Sequence, residues 1–181
     1  MTRPPFEQAT AEDIRIVTAQ LGRPARGVAG IAARCACGNP TVVATQPRLD
    51  DGTPFPTLYY LTHPAATAAA STLEADGVMT EFNELLKTDA LVREAYAAAH
   101  DAYLADRATL GDVPEIDGIS AGGMPERVKC LHALAGHALA AGPGVNPIGD
   151  LTLERSRWSA SVCECADYSD TNSGTRPEAQ S

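Results

Sequence analysis

The residue pattern of the chain changes near residue 62, and this change constrains the fold more than any other feature. Between residues 27 and 61, runs of β-branched and aromatic residues are separated by the turn formers Gly38-Asn39-Pro40 and Asp51-Gly52-Thr53-Pro54. From Pro64 onward, alanine and leucine recur at helical spacing. The sequence therefore predicts an α+β fold: a small antiparallel sheet of about three strands near the N-terminus, packed against a bundle of about four to six helices.

The individual elements follow from their boundary residues. A first helix is predicted from a Thr10 cap to Gly22, and strands at 28–34, 41–45 and 57–61. Further helices are expected at about 64–75, 79–87, 88–110 and 125–141, and a last short one is expected to be capped by Asp150. We expect residues 1–9 to be flexible, residues 10–159 to form a single α+β domain, and residues 160–181 to be a disordered acidic tail.

The charge distribution argues against nucleic acid as a partner. The 181 residues carry a formal net charge of −9, and residues 61–120 hold eleven acidic groups but only three basic ones. Such a block would repel a phosphate backbone. Neither an export signal nor an apolar run long enough to insert into a membrane is visible, so we expect a cytoplasmic protein with reduced thiols.

Cysteine and histidine residues from separate elements make up a candidate metal site. Zinc in structural sites takes four nitrogen or sulfur ligands in a tetrahedron. Cys35 and Cys37 lie near a strand end, His63 joins the third strand to a helix, and Cys130 lies early in a later helix, with His137 as an alternate ligand. Zinc is the first candidate and an iron–sulfur cluster the second. The other interpretation, with no metal at all, is that these thiols and imidazoles are buried core groups.

A second C-x-C pair, Cys163-Glu164-Cys165, falls in the predicted tail. A disulfide within such a pair would be strained, because only one residue separates the two cysteines. We expect a weak secondary metal contact from this pair at most.

The segment from Gly122 to Lys129 is a candidate anion site. Two glycines ahead of a predicted helix would expose backbone N–H groups, and Arg127 and Lys129 would add positive charge. Arg48 is a third candidate for binding the same anionic small molecule, and His132 is a weak candidate for a catalytic acid or base. An ordinary hinge followed by a solvated helix is the alternative.

Four segments resemble a bacterial, mainly actinobacterial, family known as domain of unknown function 501. They are Arg34-Cys35-Ala36-Cys37-Gly38 and the stretches from Asp51 to Pro64, from Gly122 to His132 and from Gly142 to Asp150. The resemblance covers roughly residues 10–158 and leaves out the Cys163-Glu164-Cys165 pair. It implies no established activity, but it does imply a link to cell division or phosphate metabolism through the family's usual gene neighbours.

Two functions remain open from the sequence. The first is an accessory or binding domain with a structural Cys/His metal site that acts through a protein partner. The second is an enzyme that acts on a phosphorylated or otherwise anionic small molecule, bound by Arg48, Arg127 and Lys129.

Overall fold

A three-stranded antiparallel sheet forms the N-terminal part of the fold in the computed structural model, which describes residues 4–168. Its strands are β1 (Val28–Arg34), β2 (Pro40–Thr45) and β3 (Tyr59–Leu61), and β2 lies in the centre. Both pairings are antiparallel, so the predicted meander is confirmed.

The described part of the chain also contains six α-helices. They are α1 (Ala11–Leu21), α2 (Pro64–Ala75), α3 (Val78–Thr88), α4 (Ala90–Ala108), α5 (Leu131–Ala141) and α6 (Pro147–Ser156), with a short 3₁₀ helix at Pro114–Ile116. Of these helices, α1 and α5 make the main contacts with the sheet. The predicted α+β fold class is therefore confirmed. None of the helices within residues 4–168 is both long and apolar enough to cross a membrane.

The central strand β2 is covered on both faces, because alternate side chains of a strand point in opposite directions. Val43 packs with Val17 of α1 and Ile31 of β1. Val42 and Ala44 join the larger core formed with the later helices. The sheet thus lies between α1 on one side and the helices that follow β3 on the other.

Helix α5 occupies the middle of this larger core, and two glycines allow its close approach to neighbouring backbone. A Cβ atom on Gly136 of α5 would lie 3.0 Å from the carbonyl oxygen of Tyr59 in β3. A Cβ atom on Gly149 of α6 would lie only 2.3 Å from the carbonyl oxygen of Leu134 in α5. The crossing of α5 and α6 therefore requires glycine at position 149.

The predicted starts of these two helices are wrong. Helix α5 begins at Leu131 instead of Pro125, because the Asn83 side chain of α3 bonds both the N–H and the carbonyl of Val128. Those bonds hold the preceding segment out of a helical turn. Helix α6 begins at Pro147 and is capped by Asn146, whose side chain accepts from the N–H of Gly149. Asp150, the predicted cap, lies within α6 and accepts from the N–H of Gly144.

Replacing Gly149 with alanine tests the crossing of α5 and α6. Helix propensity alone would favour alanine by about 1 kcal/mol. We expect instead that Gly149→Ala lowers the free energy of unfolding by about 1–3 kcal/mol, because the added methyl group overlaps the backbone of α5. Urea denaturation measures this change. Glu154→Ala, at an exposed position of α6, is the control for propensity, and a Gly149→Ala protein as stable as the wild type would contradict the packing.

Candidate metal centre

The turn between β1 and β2 holds the first pair of cysteines. The N–H of Gly38 donates to the carbonyl of Cys35 at 2.8 Å, and the N–H of Cys35 donates to the carbonyl of Asn39 at 2.9 Å. Gly38 has a φ of +90°, a conformation that glycine adopts at little cost. In this tight turn Cys35 is buried and Cys37 is exposed.

The segment after α6 brings the second pair of cysteines to this turn. The carbonyl of Ala160 accepts a 2.7 Å hydrogen bond from the N–H of Ala36, between the first two cysteines. Farther along, the carbonyl of Tyr168 accepts from the guanidinium of Arg15 in α1 at 2.6 Å. Between these two attachments lie Cys163 and Cys165.

The four sulfur atoms form one compact group. Those of Cys35, Cys37, Cys163 and Cys165 all lie within 4.8 Å of one another, and the Cys37 and Cys165 sulfurs are 3.4 Å apart. In a zinc tetrahedron with Zn–S bonds of about 2.3 Å, the sulfur atoms are about 3.8 Å apart. The cluster therefore has the size that a single tetrahedral metal ion requires.

His63 lies beside this group with a defined tautomer. It caps α2, where its Nδ1 accepts a 3.4 Å hydrogen bond from the N–H of Ala66. The proton of the neutral ring is then on Nε2, which lies 3.2 Å from the sulfur of Cys165 and can donate to it. The side chain is fully buried, and this burial lowers the pKa of His63. The Trp158 ring, with its centroid 5.1 Å away, packs against the imidazole.

Cys163 and Cys165 differ in how readily they lose a proton. The N–H of Cys165 and the thiol of Cys37 lower the pKa of Cys163. Burial raises the pKa of Cys165, and the nearby Cys37 thiol raises it further. The cluster thus contains one thiol that ionises easily beside one that resists ionisation, and a bound cation would favour the thiolate form of all four.

An ion pair fixes the turn that carries Cys35 and Cys37. The Arg34 guanidinium donates to Asp13 of α1 at 2.7 Å and to the carbonyl of Gly38 at 2.8 Å. Asp13 is only 5% exposed and also accepts from the N–H of Thr10, completing the capping box of α1. Helix α1 and the cysteine turn are therefore held together by one buried carboxylate.

A second group of metal-binding side chains lies between α2 and α5. It consists of Glu74, Cys130 and His132, whose ligand atoms also lie within 4.8 Å of one another. Cys130, predicted to join Cys35 and Cys37, belongs to this group instead. The Cys130 thiol and the Glu74 carboxylate raise the pKa of His132 to about 9, against the opposing effect of burial.

The remaining predicted residues do not converge on one site. His137 is stacked on Tyr59 in the core, and its Nδ1 is hydrogen-bonded to Asn146. Arg48 forms an ion pair with Glu115. Arg127 and Lys129 line a concave pocket with a volume of about 510 Å³, and Arg48 is not among the residues that line this pocket.

Three backbone N–H groups at and after the segment from Gly122 to Lys129 donate within the chain. The N–H groups of Arg127 and Lys129 donate to the carbonyls of Gly123 and Gly122, and the N–H of Leu131 donates to the Glu74 carboxylate at 2.7 Å. The helix predicted to begin at Pro125 does not exist there. The premise of the anion site, a glycine-rich helix N-terminus, is therefore wrong.

Comparison with known proteins identifies the family. A model of a family described as "Protein of unknown function (DUF501)" matches residues 31–154, most of the chain. The chain belongs to the DUF501 family. No curated protein and no solved structure matches it.

Only half of the thiol cluster lies within the DUF501 match. Cys35, Cys37 and His63 fall inside residues 31–154, whereas Cys163 and Cys165 follow it. Sequence reasoning gave these last two cysteines at most a secondary role, because they follow the last predicted helix. Of the predicted tail, residues 160–168 lie along the cysteine turn and α1, and residues 169–181 lie outside the described residues. The signal that pointed to them was the second C-x-C pair, whose spacing repeats that of the first, and its place in the predicted tail led to its being given too little weight.

Neutralising Asp13 tests the anchor of the cysteine turn. Its partners Arg34 and Thr10 lower the pKa of Asp13 from 3.8 to about 2. The stabilisation is therefore complete above pH 3.8 and is lost as the pH falls through 2. We expect Asp13→Asn to lower the free energy of unfolding at pH 7 by about 2 kcal/mol.

The pH dependence separates this effect from a general loss of charge. The deficit of Asp13→Asn relative to the wild type should shrink between about pH 4 and pH 2 in urea denaturation of the reduced, metal-free proteins, because the wild-type carboxylate is protonated there. Asp112→Asn, at an exposed loop position, is the control. A deficit that stays constant over this range would contradict the assignment.

Proposed function

We propose that this DUF501 protein is an accessory or binding domain that holds a structural zinc ion between Cys35, Cys37, Cys163 and Cys165. The observation that carries the proposal is the approach of all four sulfur atoms to within 4.8 Å of one another. Two separate C-x-C pairs supply the ligands, so the ion would link the β1–β2 turn to the segment after α6. Four thiolates fill a tetrahedron, which is typical of structural and not catalytic zinc.

The environment of the thiols supports a tetrathiolate centre. Four thiolates and one Zn²⁺ carry a net charge of −2, which needs hydrogen-bond donors nearby. The Nε2–H of His63, 3.2 Å from the Cys165 sulfur, is one such donor, and its backbone bond at Nδ1 keeps the proton on Nε2. We therefore propose that His63 stabilises a ligand rather than binding the metal itself.

The size of the cluster favours one ion over an iron–sulfur cluster. In an iron–sulfur cluster the four cysteines are divided between two or four iron atoms, so sulfurs bound to different irons lie farther apart than the ligands of one ion. Sulfurs that are all within 4.8 Å suit a single centre. Zinc is preferred to other divalent ions because tetrahedral thiolate sites select it.

A site built from free thiols requires a reducing compartment, so we propose that the protein acts in the cytoplasm. Its role would be exercised through a protein partner that recognises the surface held by the zinc ion. The link to cell division or phosphate metabolism that the family resemblance implies remains an expectation. An enzyme acting on an anionic small molecule is not proposed, since Arg48 pairs with Glu115 away from the pocket of Arg127 and Lys129, and no helix begins at Pro125.

Zinc binding to the four thiols is tested by alkylation and calorimetry. In reduced protein, stoichiometric Zn²⁺ should protect Cys35, Cys37, Cys163 and Cys165 from iodoacetamide, as mapped by peptide mass spectrometry. Chelation should lower the melting temperature by about 5–10 °C, the shift expected when ligand at about 100 times its Kd is removed.

Cys130→Ser is the matched thiol control and should leave this protection unchanged, whereas Cys35→Ser/Cys37→Ser should abolish it. Equal alkylation of all four thiols with and without Zn²⁺ would refute the proposal. So would the recovery of two disulfides among them from protein kept reduced during purification.

A substitution at His63 tests the hydrogen bond to Cys165. Asparagine retains an acceptor suited to the cap of α2 but loses the ring N–H. We expect His63→Asn to weaken zinc binding by about 10–100-fold while retaining the one-to-one stoichiometry at the thiols. Competition with a chromophoric chelator measures the affinity. His100→Asn, away from the thiols, is the control, and loss of a full coordination position in the His63 variant would make His63 a ligand instead.

A further inference from the structure

We propose that Glu74, Cys130 and His132 form a second divalent-metal site, with a fourth coordination position open to an exchangeable water or small ligand. The ligands come from α2 and from the start of α5, and none of them belongs to the thiolate centre. The proposal therefore does not depend on zinc binding at Cys35, Cys37, Cys163 and Cys165.

The distances between the ligand atoms match those of a metal polyhedron. Glu74 Oε1 lies 3.1 Å from His132 Nδ1, and Cys130 Sγ lies 3.9 Å from the same nitrogen. Zn–O, Zn–N and Zn–S bonds of ordinary length in a tetrahedron place oxygen and nitrogen about 3.4 Å apart and sulfur and nitrogen about 3.6 Å apart. A shift of a few tenths of an ångström in each side chain would seat the ion.

The other ring nitrogen of His132 is already held as in a metal-ligating histidine. Nε2 lies 3.2 Å from the carbonyl oxygen of Thr67 and 3.1 Å from the hydroxyl of Ser71, both on α2. A ligating histidine usually donates its remaining N–H to a carbonyl or carboxylate. Because Nε2 is directed at Thr67, Nδ1 is the ring nitrogen that faces Glu74 and Cys130, and a metal ion bound there would replace the proton that Nδ1 donates to Glu74 in the metal-free protein.

The two remaining ligands are also positioned independently of the metal. The Glu74 carboxylate accepts a 2.7 Å hydrogen bond from the N–H of Leu131, the first residue of α5. Cys130 precedes that residue, and its side chain takes no part in capping the helix. The carboxylate is thus oriented by the backbone, and the thiol remains available to bind an ion.

The site opens onto concave surface, which distinguishes it from a closed structural site. A depression with a volume of about 380 Å³ is lined by Cys130 and His132, together with Thr57, Tyr59 and Thr67. Cys130 also lines the adjoining surface that contains Arg127 and Lys129. Three protein ligands leave one tetrahedral position for water, as in catalytic zinc sites. A carboxylate, carbonyl or phosphate oxygen could replace that water.

Metal titration of the full chain tests the second site. Reduced, metal-free protein is titrated with Zn²⁺ against a chromophoric chelator, and we expect two equivalents in the wild type. Glu74→Gln/His132→Gln should bind only one. The glutamine side chain introduced in place of Glu74 would keep an oxygen acceptor for the N–H of Leu131, so this variant should fold. The control is His100→Gln. The ring of His100 contacts Ser120, away from both sites, so this variant should bind two equivalents of Zn²⁺.

Alkylation of Cys130 gives a second readout that needs no variant. Bound Zn²⁺ should slow the reaction of Cys130 with iodoacetamide by about tenfold or more, because the reaction requires the free thiolate. The same protection in Cys35→Ser/Cys37→Ser would show that the two sites are separate.

The outcomes distinguish the two metal proposals. A single equivalent that disappears in Cys35→Ser/Cys37→Ser, with Cys130 alkylated at the same rate with and without Zn²⁺, would overturn the second site and leave an ordinary Glu74–His132 ion pair. A single equivalent that disappears only in Glu74→Gln/His132→Gln would support the second site and overturn the thiolate centre.

Discussion

The burial of helix α5 is the constraint on which the rest of the structure depends. Almost every residue of α5 is buried, because the helix packs against β3 on one side and α6 on the other. Gly136 and Gly149 let these backbones approach more closely than any side chain would allow. With α5 fixed in the centre, α2 lies against it, and Glu74 of α2 reaches the first N–H of α5. The position of the second candidate site is therefore a result of core packing.

Both candidate metal sites join segments that are distant in the sequence. The thiol cluster links the β1–β2 turn to residues more than a hundred positions later, where the carbonyl of Ala160 bonds the N–H of Ala36. The Glu74, Cys130 and His132 group links α2 to α5. A metal ion at either position would stabilise the folded chain by its binding free energy, because the ligands meet only once the chain has folded. The first site is formed by sulfur alone, whereas the second has mixed ligands and an open face.

The local elements were predictable where side chains act on their own backbone. Thr10 caps α1 as expected, and the turn at Gly38 lies between the expected strands. The prediction failed at residues 125–130, where apolar spacing suggested a helix. There Asn83, from another helix, bonds the backbone of Val128. A contact between residues 45 positions apart leaves no trace in the local pattern.

The sequence by itself determined the fold class, the strand order of the meander and the types of side chain capable of holding a metal, because these depend on periodicity, turn chemistry and ligand chemistry. Only the tertiary structure decided which of those side chains meet. Cys130 was grouped with Cys35 by residue type, but it lies directly before α5, close to Glu74 of α2. The segment after α6 brings Cys163 and Cys165 to the turn of Cys35 and Cys37 instead. The reason is physical: a metal site is defined by atoms within a few ångströms, and such distances between remote segments are set by the packing of the core.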